Sequence, residues 1–116
     1  MTDKVVILVT ASSQDEGRKI AAHLVENKLA ACVNITPPIE SIYWWEGKIQ
    51  QDQEYQLFIK SKRELFPEVR AAVSSLHSYQ TPEIICLPII DGSPAYLQWI
   101  DEVVTPAAHS DRAAEA

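Results

Sequence analysis

The side chains in this sequence able to hold an ion or move a proton are few. Imidazole, thiolate and carboxylate groups bind divalent transition metals when several converge, and the chain has only three histidines and two cysteines to add to its carboxylates. His109 stands near the C-terminus and His23 near the end of an amphipathic run. His77 closes a second such run and opens the loop HSYQTP, which makes it the strongest metal-ligand candidate. Cys32 and Cys86 each sit inside an apolar segment, ACVNI and IICLPI, and read as buried free thiols, poor ligands and no redox pair. No Ser/His/Asp set is assignable and no Gly-rich phosphate loop is present, so neither an enzyme nor a nucleotide binder is indicated. The formal net charge of −6 argues against a nucleic-acid partner.

These groups must be positioned by elements that the pattern makes readable. KVVILVT (4–10) is a β-branched strand. Ser13 and Glu16 have capping-box spacing, which predicts a helix over 14–28, with Asn27 tolerating a left-handed end and Lys28 compensating the dipole. A strand is expected over 29–35, interrupted by Pro37 and Pro38. Extended chain resumes in IESIYWW, turns at Glu46-Gly47, and returns through KIQQDQEYQLFIKS as a long hairpin. A helix over 63–76 presents Leu65, Val69, Val73 and Leu76 on one stripe. EIICLPI is the last strand, and Ser93-Pro94 starts a closing helix.

The order strand–helix–strand, strand–helix–strand, then helix gives an α+β, ferredoxin-like split βαβ plan. It predicts one domain over 1–105 and a flexible tail over 106–116. Two of the strands are apolar at both parities. Val5, Ile7 and Val9 oppose Val6 and Leu8, and Ile85 and Leu87 oppose Ile84 and Cys86. With both helices on one face, the other face needs a cover, and a second copy of the chain is the expected one. Tyr43, Trp44 and Trp45, three rings in a row on one strand, are expected to pack at that interface. Without a signal peptide or a run of membrane-spanning length, a cytoplasmic protein with no membrane partner is expected.

LVENKLAACVNI, SIYWWEGKIQ, EYQLFIKSK, YQTPEIICLPI and YLQWI, in this order over about 4–104, resemble the CutA family of divalent-cation tolerance proteins. The resemblance implies a PII-like homotrimer, non-catalytic, linked to divalent copper. His77 matches the first position of the family's His-Pro-Tyr motif, although Ser78 follows it here. Where some members carry a cysteine and a second histidine, this chain has Val9 and Leu76. A trimer would assemble an inter-subunit pocket from Glu54, Lys60, Tyr79 and Glu83. In it, Lys60 and Tyr79 suit an anion, whereas Glu54 and Glu83 suit a cation or neutralise Lys60. The alternative function is a PII-like trimer that binds or signals through a small anion.

Overall fold

The first apolar run forms β1 (Lys4–Ala11), the strand about which the others gather. The computed structural model describes residues 2–104; the proposed tail, with His109, lies outside the described residues. Helix α1 (Gln14–Glu26) starts where the capping residue predicts, the Glu16 N–H donating to Ser13 Oγ at 3.1 Å. Only this half of the expected box forms, because the Glu16 carboxylate turns to Ser12 and Ser78. The helix also ends differently from the expectation. Lys28, with φ 57°, takes the left-handed position, while Asn27 stays at φ −92° and donates from Nδ2 to the His23 carbonyl at 2.8 Å.

The strand expected over 29–35 shortens to β2 (Cys32–Ile35). The amides of Leu29 and Ala30 both donate to the Leu24 carbonyl, at 2.9 and 3.2 Å, and so close the helix instead of joining the sheet. Beyond the two prolines, β3 (Ile39–Trp45) pairs with the distal part of β4 (Lys48–Lys62), whose proximal part pairs with β2. Glu46 and Gly47 have φ of 50° and 76°. Two consecutive positive φ values give the primed turn whose twist matches an antiparallel hairpin. A 3-10 turn (Arg63–Leu65) leads into α2 (Phe66–Leu76), so the second helix starts with Pro67 in its first turn, where no amide is missed. β5 (Ile84–Pro88) and α3 (Pro94–Val103) follow. Pro94 begins α3 as expected, but the Ser93 hydroxyl makes no capping bond.

The sheet order is β2–β4–β1–β5, all antiparallel, with β3 on the same edge of β4 as β2. One face carries Ile7, Val9, Leu57 and Ile59 against Ile20 and Leu24 of α1 and Val69 and Val73 of α2, all fully buried. Each such side chain contributes about 1.5–3 kcal/mol by leaving water. Register fixes the opposite face: Phe58, Leu8 and Ile85 form one row, Lys60, Val6 and Leu87 the next. At the end of these rows Asp101 of α3 meets Lys62 Nζ at 2.7 Å and Lys4 Nζ at 3.5 Å. The middle of the face stays open, with Phe58 37%, Ile85 45% and Leu87 44% exposed. An apolar second face is therefore present, as strand parity predicts.

Candidate functional site

The hairpin and the loop between α2 and β5 face each other across a cleft, and the loop is held from beneath. His77 ends α2, its amide donating to the Val73 carbonyl at 2.9 Å. Its side chain is fully buried. Because a carbonyl only accepts, the 2.6 Å contact with Thr10 O makes Nε2 the donor, and Nδ1 then accepts the Tyr79 amide at 3.0 Å. Both ring nitrogens are thus engaged, one to β1 and one to the loop. The Glu16 carboxylate adds a second tie, accepting the Ser78 amide at 2.9 Å and the Ser12 amide at 3.0 Å. Burial pushes the Glu16 carboxyl up, yet the hydrogen bonds from Ser78 and Ser12, with the nearby His77, hold it below the usual carboxylate range.

So positioned, Tyr79 projects into the cleft and donates its hydroxyl to Glu54 Oε2 at 3.1 Å. Glu54 is only 7% exposed. Burial, followed by the Glu54 charge and hydrogen bond, raises the Tyr79 phenol far above its ordinary value. Tyr43 makes a parallel pair on the hairpin, donating to Asp52 Oδ2, and that bond raises its phenol in turn. Gln56 donates to the Val9 carbonyl at 3.0 Å and reaches Glu83 Oε2 at 3.5 Å. The cleft has a volume of about 690 Å³. Its walls are Tyr43, Trp44, Trp45 and Tyr79; its charged groups are Glu54 and Glu83. Thr10, Ser41, Gln56, Gln80 and Thr81 complete the polar lining, and no Lys, Arg or His takes part among the described residues.

Glu54, Tyr79 and Glu83 are therefore brought together within a single chain, beside the aromatic run. Lys60 is not with them. It lies on the open sheet face, opposite Val6 and Cys32, and hydrogen-bonds Asn34 Oδ1. Six residues of extended strand separate it from Glu54, roughly 20 Å. His77 supports the cleft without lining it. Glu16 was not singled out as a site residue, because its capping-box spacing accounts for it in sequence, and nothing local signals its bond to Ser78, 62 residues away.

A divalent ion fits one chain poorly. Neither nitrogen of His77 is free, and among the described residues no group of three or more His, Cys, Asp or Glu could hold a metal. Val9, where some members of the resembling family carry cysteine, is fully buried in the core, and burial pushes the Cys86 thiol up.

An antiparallel sheet in this order, with two helices on one face and a projecting hairpin, defines a mixed α+β domain of ferredoxin-like plan. Residues 5–103 match the family described as CutA1 divalent ion tolerance protein, and the chain belongs to that family. The divalent-cation tolerance protein CutA of Thermus thermophilus is 46% identical over 97 residues, covering 84% of this chain and 94% of the relative. The chloroplastic CutA protein of Arabidopsis thaliana is 47% identical over 96 residues, 83% of this chain and 53% of the relative. The solved structure of the periplasmic divalent cation tolerance protein CutA from Archaeoglobus fulgidus superposes with a TM-score of 0.86 at 48% identity, covering 88% of this chain and 99% of that one. Among the described residues no helix is long and apolar enough to cross a membrane.

Proposed function

We propose that this chain is a non-catalytic, homotrimeric protein of divalent-cation tolerance or response, that copper is the metal concerned, and that it works in the cytoplasm. Membership of the family supports the cation; the exposed apolar surface supports the assembly. Besides the open sheet face, Trp44 is 71%, Ile42 65% and Ile49 64% exposed along one side of the hairpin. Sister chains would bury both surfaces.

The observation that carries the reading is the cleft itself, which holds Glu54 and Glu83 with no basic side chain in its lining among the described residues. Its charge favours cations over anions. Because one chain supplies too few converging ligands, the metal would sit between subunits, drawing on the Glu54 and Glu83 carboxylates. His77 would join only by giving up its bond to Thr10 or to Tyr79. The PII-like alternative, an anion held by Lys60 and Tyr79, has less support. The same chain's Lys60 lies on the open sheet face, so the cation would have to come from a neighbour, and the Tyr79 hydroxyl is already directed at a carboxylate.

Sedimentation equilibrium with calorimetric titration of copper and zinc tests this reading. A trimer with saturable copper heat, reduced in Glu54→Gln and His77→Ala, is expected. A monomer at micromolar concentration refutes the assembly, and absence of copper heat refutes the metal.

A further inference from the structure

Glu54 is more than nine-tenths buried, yet its carboxylate has a single partner among the described residues, the neutral phenol of Tyr79 on Oε2. Oε1 accepts no hydrogen bond there, and no Lys, Arg or His forms an ion pair with Glu54. That oxygen is not sealed in the interior, since no buried side-chain oxygen lacks a partner among the described residues, so the carboxylate opens its charge to the cleft and attracts a cation there. Elsewhere the chain supplies the cations itself: Lys62, Lys4 and Asp101 compensate one another at the far end of the sheet.

Two further properties select the kind of cation. A dehydrated divalent ion needs several ligands converging at about 2 Å, and among the described residues no such group gathers. The volume, about 690 Å³, is that of a site for a small organic molecule rather than for an ion. The aromatic walls give the second property. Tyr43, Trp45 and Tyr79 line the cleft with the carboxylates, and such rings attract ammonium groups while covering their alkyl bodies.

We infer that the cleft between the β3–β4 hairpin and the α2–β5 loop binds an organic ammonium compound, its charged nitrogen at the free oxygen of Glu54 and its apolar part against the Tyr43, Trp45 and Tyr79 rings. Glu83, exposed at the rim and reached by Gln56, supplies a second negative charge. The site therefore favours a diamine over a monoamine of equal length. This rests on the reading that the cleft is the functional site and is independent of whether the chain also binds metal.

The test uses the full chain in its solution assembly and follows tryptophan fluorescence and calorimetric heat with 1,4-diaminobutane, 1-aminobutane, copper and succinate as separate probes. Saturable binding of the amines, strongest for the diamine, is expected. Glu54→Gln should weaken it at least about tenfold, the loss of one charged hydrogen bond. Glu83→Gln, at an exposed position that folding does not need, should abolish the preference for the diamine, and Glu26→Gln, remote on α1, should change nothing. Copper binding without amine binding overturns this inference while leaving the metal-tolerance reading intact. Succinate binding overturns both. If no amine binds and Glu54→Gln instead weakens the assembly, a second copy supplies the missing cation and the inference falls.

Discussion

Replacing Glu16 by alanine cuts the tie between the start of α1 and the loop that carries Tyr79. The carboxylate accepts three hydrogen bonds, from the Ser78 amide at 2.9 Å, the Ser12 amide at 3.0 Å and the Ser12 hydroxyl at 3.2 Å. Bonds to a charged acceptor contribute about 1.5–3 kcal/mol where they are sheltered. All three donors lie at exposed positions, and the shelter is on the acceptor's side, the Glu16 side chain being only 12% exposed. Glu16 also sits in the first turn of α1, where a negative charge gains about 0.3–1 kcal/mol from the helix dipole. The expected loss is about 2 kcal/mol in urea unfolding, read at fixed protein concentration because self-association shifts the midpoint. Amide exchange should accelerate at Ser78 and Tyr79 while β1 remains protected. The pH dependence has a definite sign. The Glu16 carboxyl is held below its usual value of 4.5 in the fold. Its contribution is then complete above that pH and disappears as pH falls through the lower folded value. The difference between wild type and Glu16→Gln should therefore narrow below pH 4.5. An unchanged midpoint together with unchanged exchange at Ser78 would refute the proposed tie.

The other predictions concern packing. Gly17 lies buried in α1, and a Cβ there would meet Leu57 Cδ1 at 3.5 Å and Ala11 Cβ at 3.7 Å, ordinary contacts. Gly17→Ala should raise stability by about 0.5–1 kcal/mol through helix propensity; a lower urea midpoint would show that the interface with β4 has no room. Trp44 and Ile49 form an exposed cross-strand pair on the hairpin. The double change Trp44→Ser, Ile49→Ser should leave the far-UV spectrum of the chain unaltered and weaken its self-association, measured by sedimentation. An unweakened assembly would place the contact elsewhere.

What the sequence discloses about this protein depends on whether the signal is periodic or positional. Strand parity is periodic. It separates Ile7 and Ile59 in the core from Leu8 and Phe58 on the open face, and it anticipates an apolar second face from one chain's residues. The Glu46-Gly47 turn and Pro67 at the start of α2 are local chemistry and are equally legible. Position along a strand is not. Glu54 and Lys60 share β4 and the same parity, which invites a common pocket. The pairing partners separate them: Glu54 stands opposite Ile39 in the hairpin, whereas Lys60 stands opposite Val6 in the body of the sheet. That register is set by where Pro37 and Pro38 break the edge strand, a distance no pattern of residue types encodes. The role of His77 is hidden for a related reason. A helix-terminal imidazole looks the same whether it awaits a metal or spans two elements, and only the approach of the Thr10 carbonyl and the Tyr79 amide distinguishes them. Within one chain Lys60 lies outside the cleft, and in the expected inter-subunit pocket it would come from a neighbouring chain. With a neighbour's Lys60 the site would be nearly neutral and open to anions; with one chain's residues alone the Glu54 and Glu83 charges favour a cation. The sign of the ligand that the cleft takes thus turns on whether the assembly brings a neighbour's Lys60 to it, which the pattern of one chain's residues does not reveal.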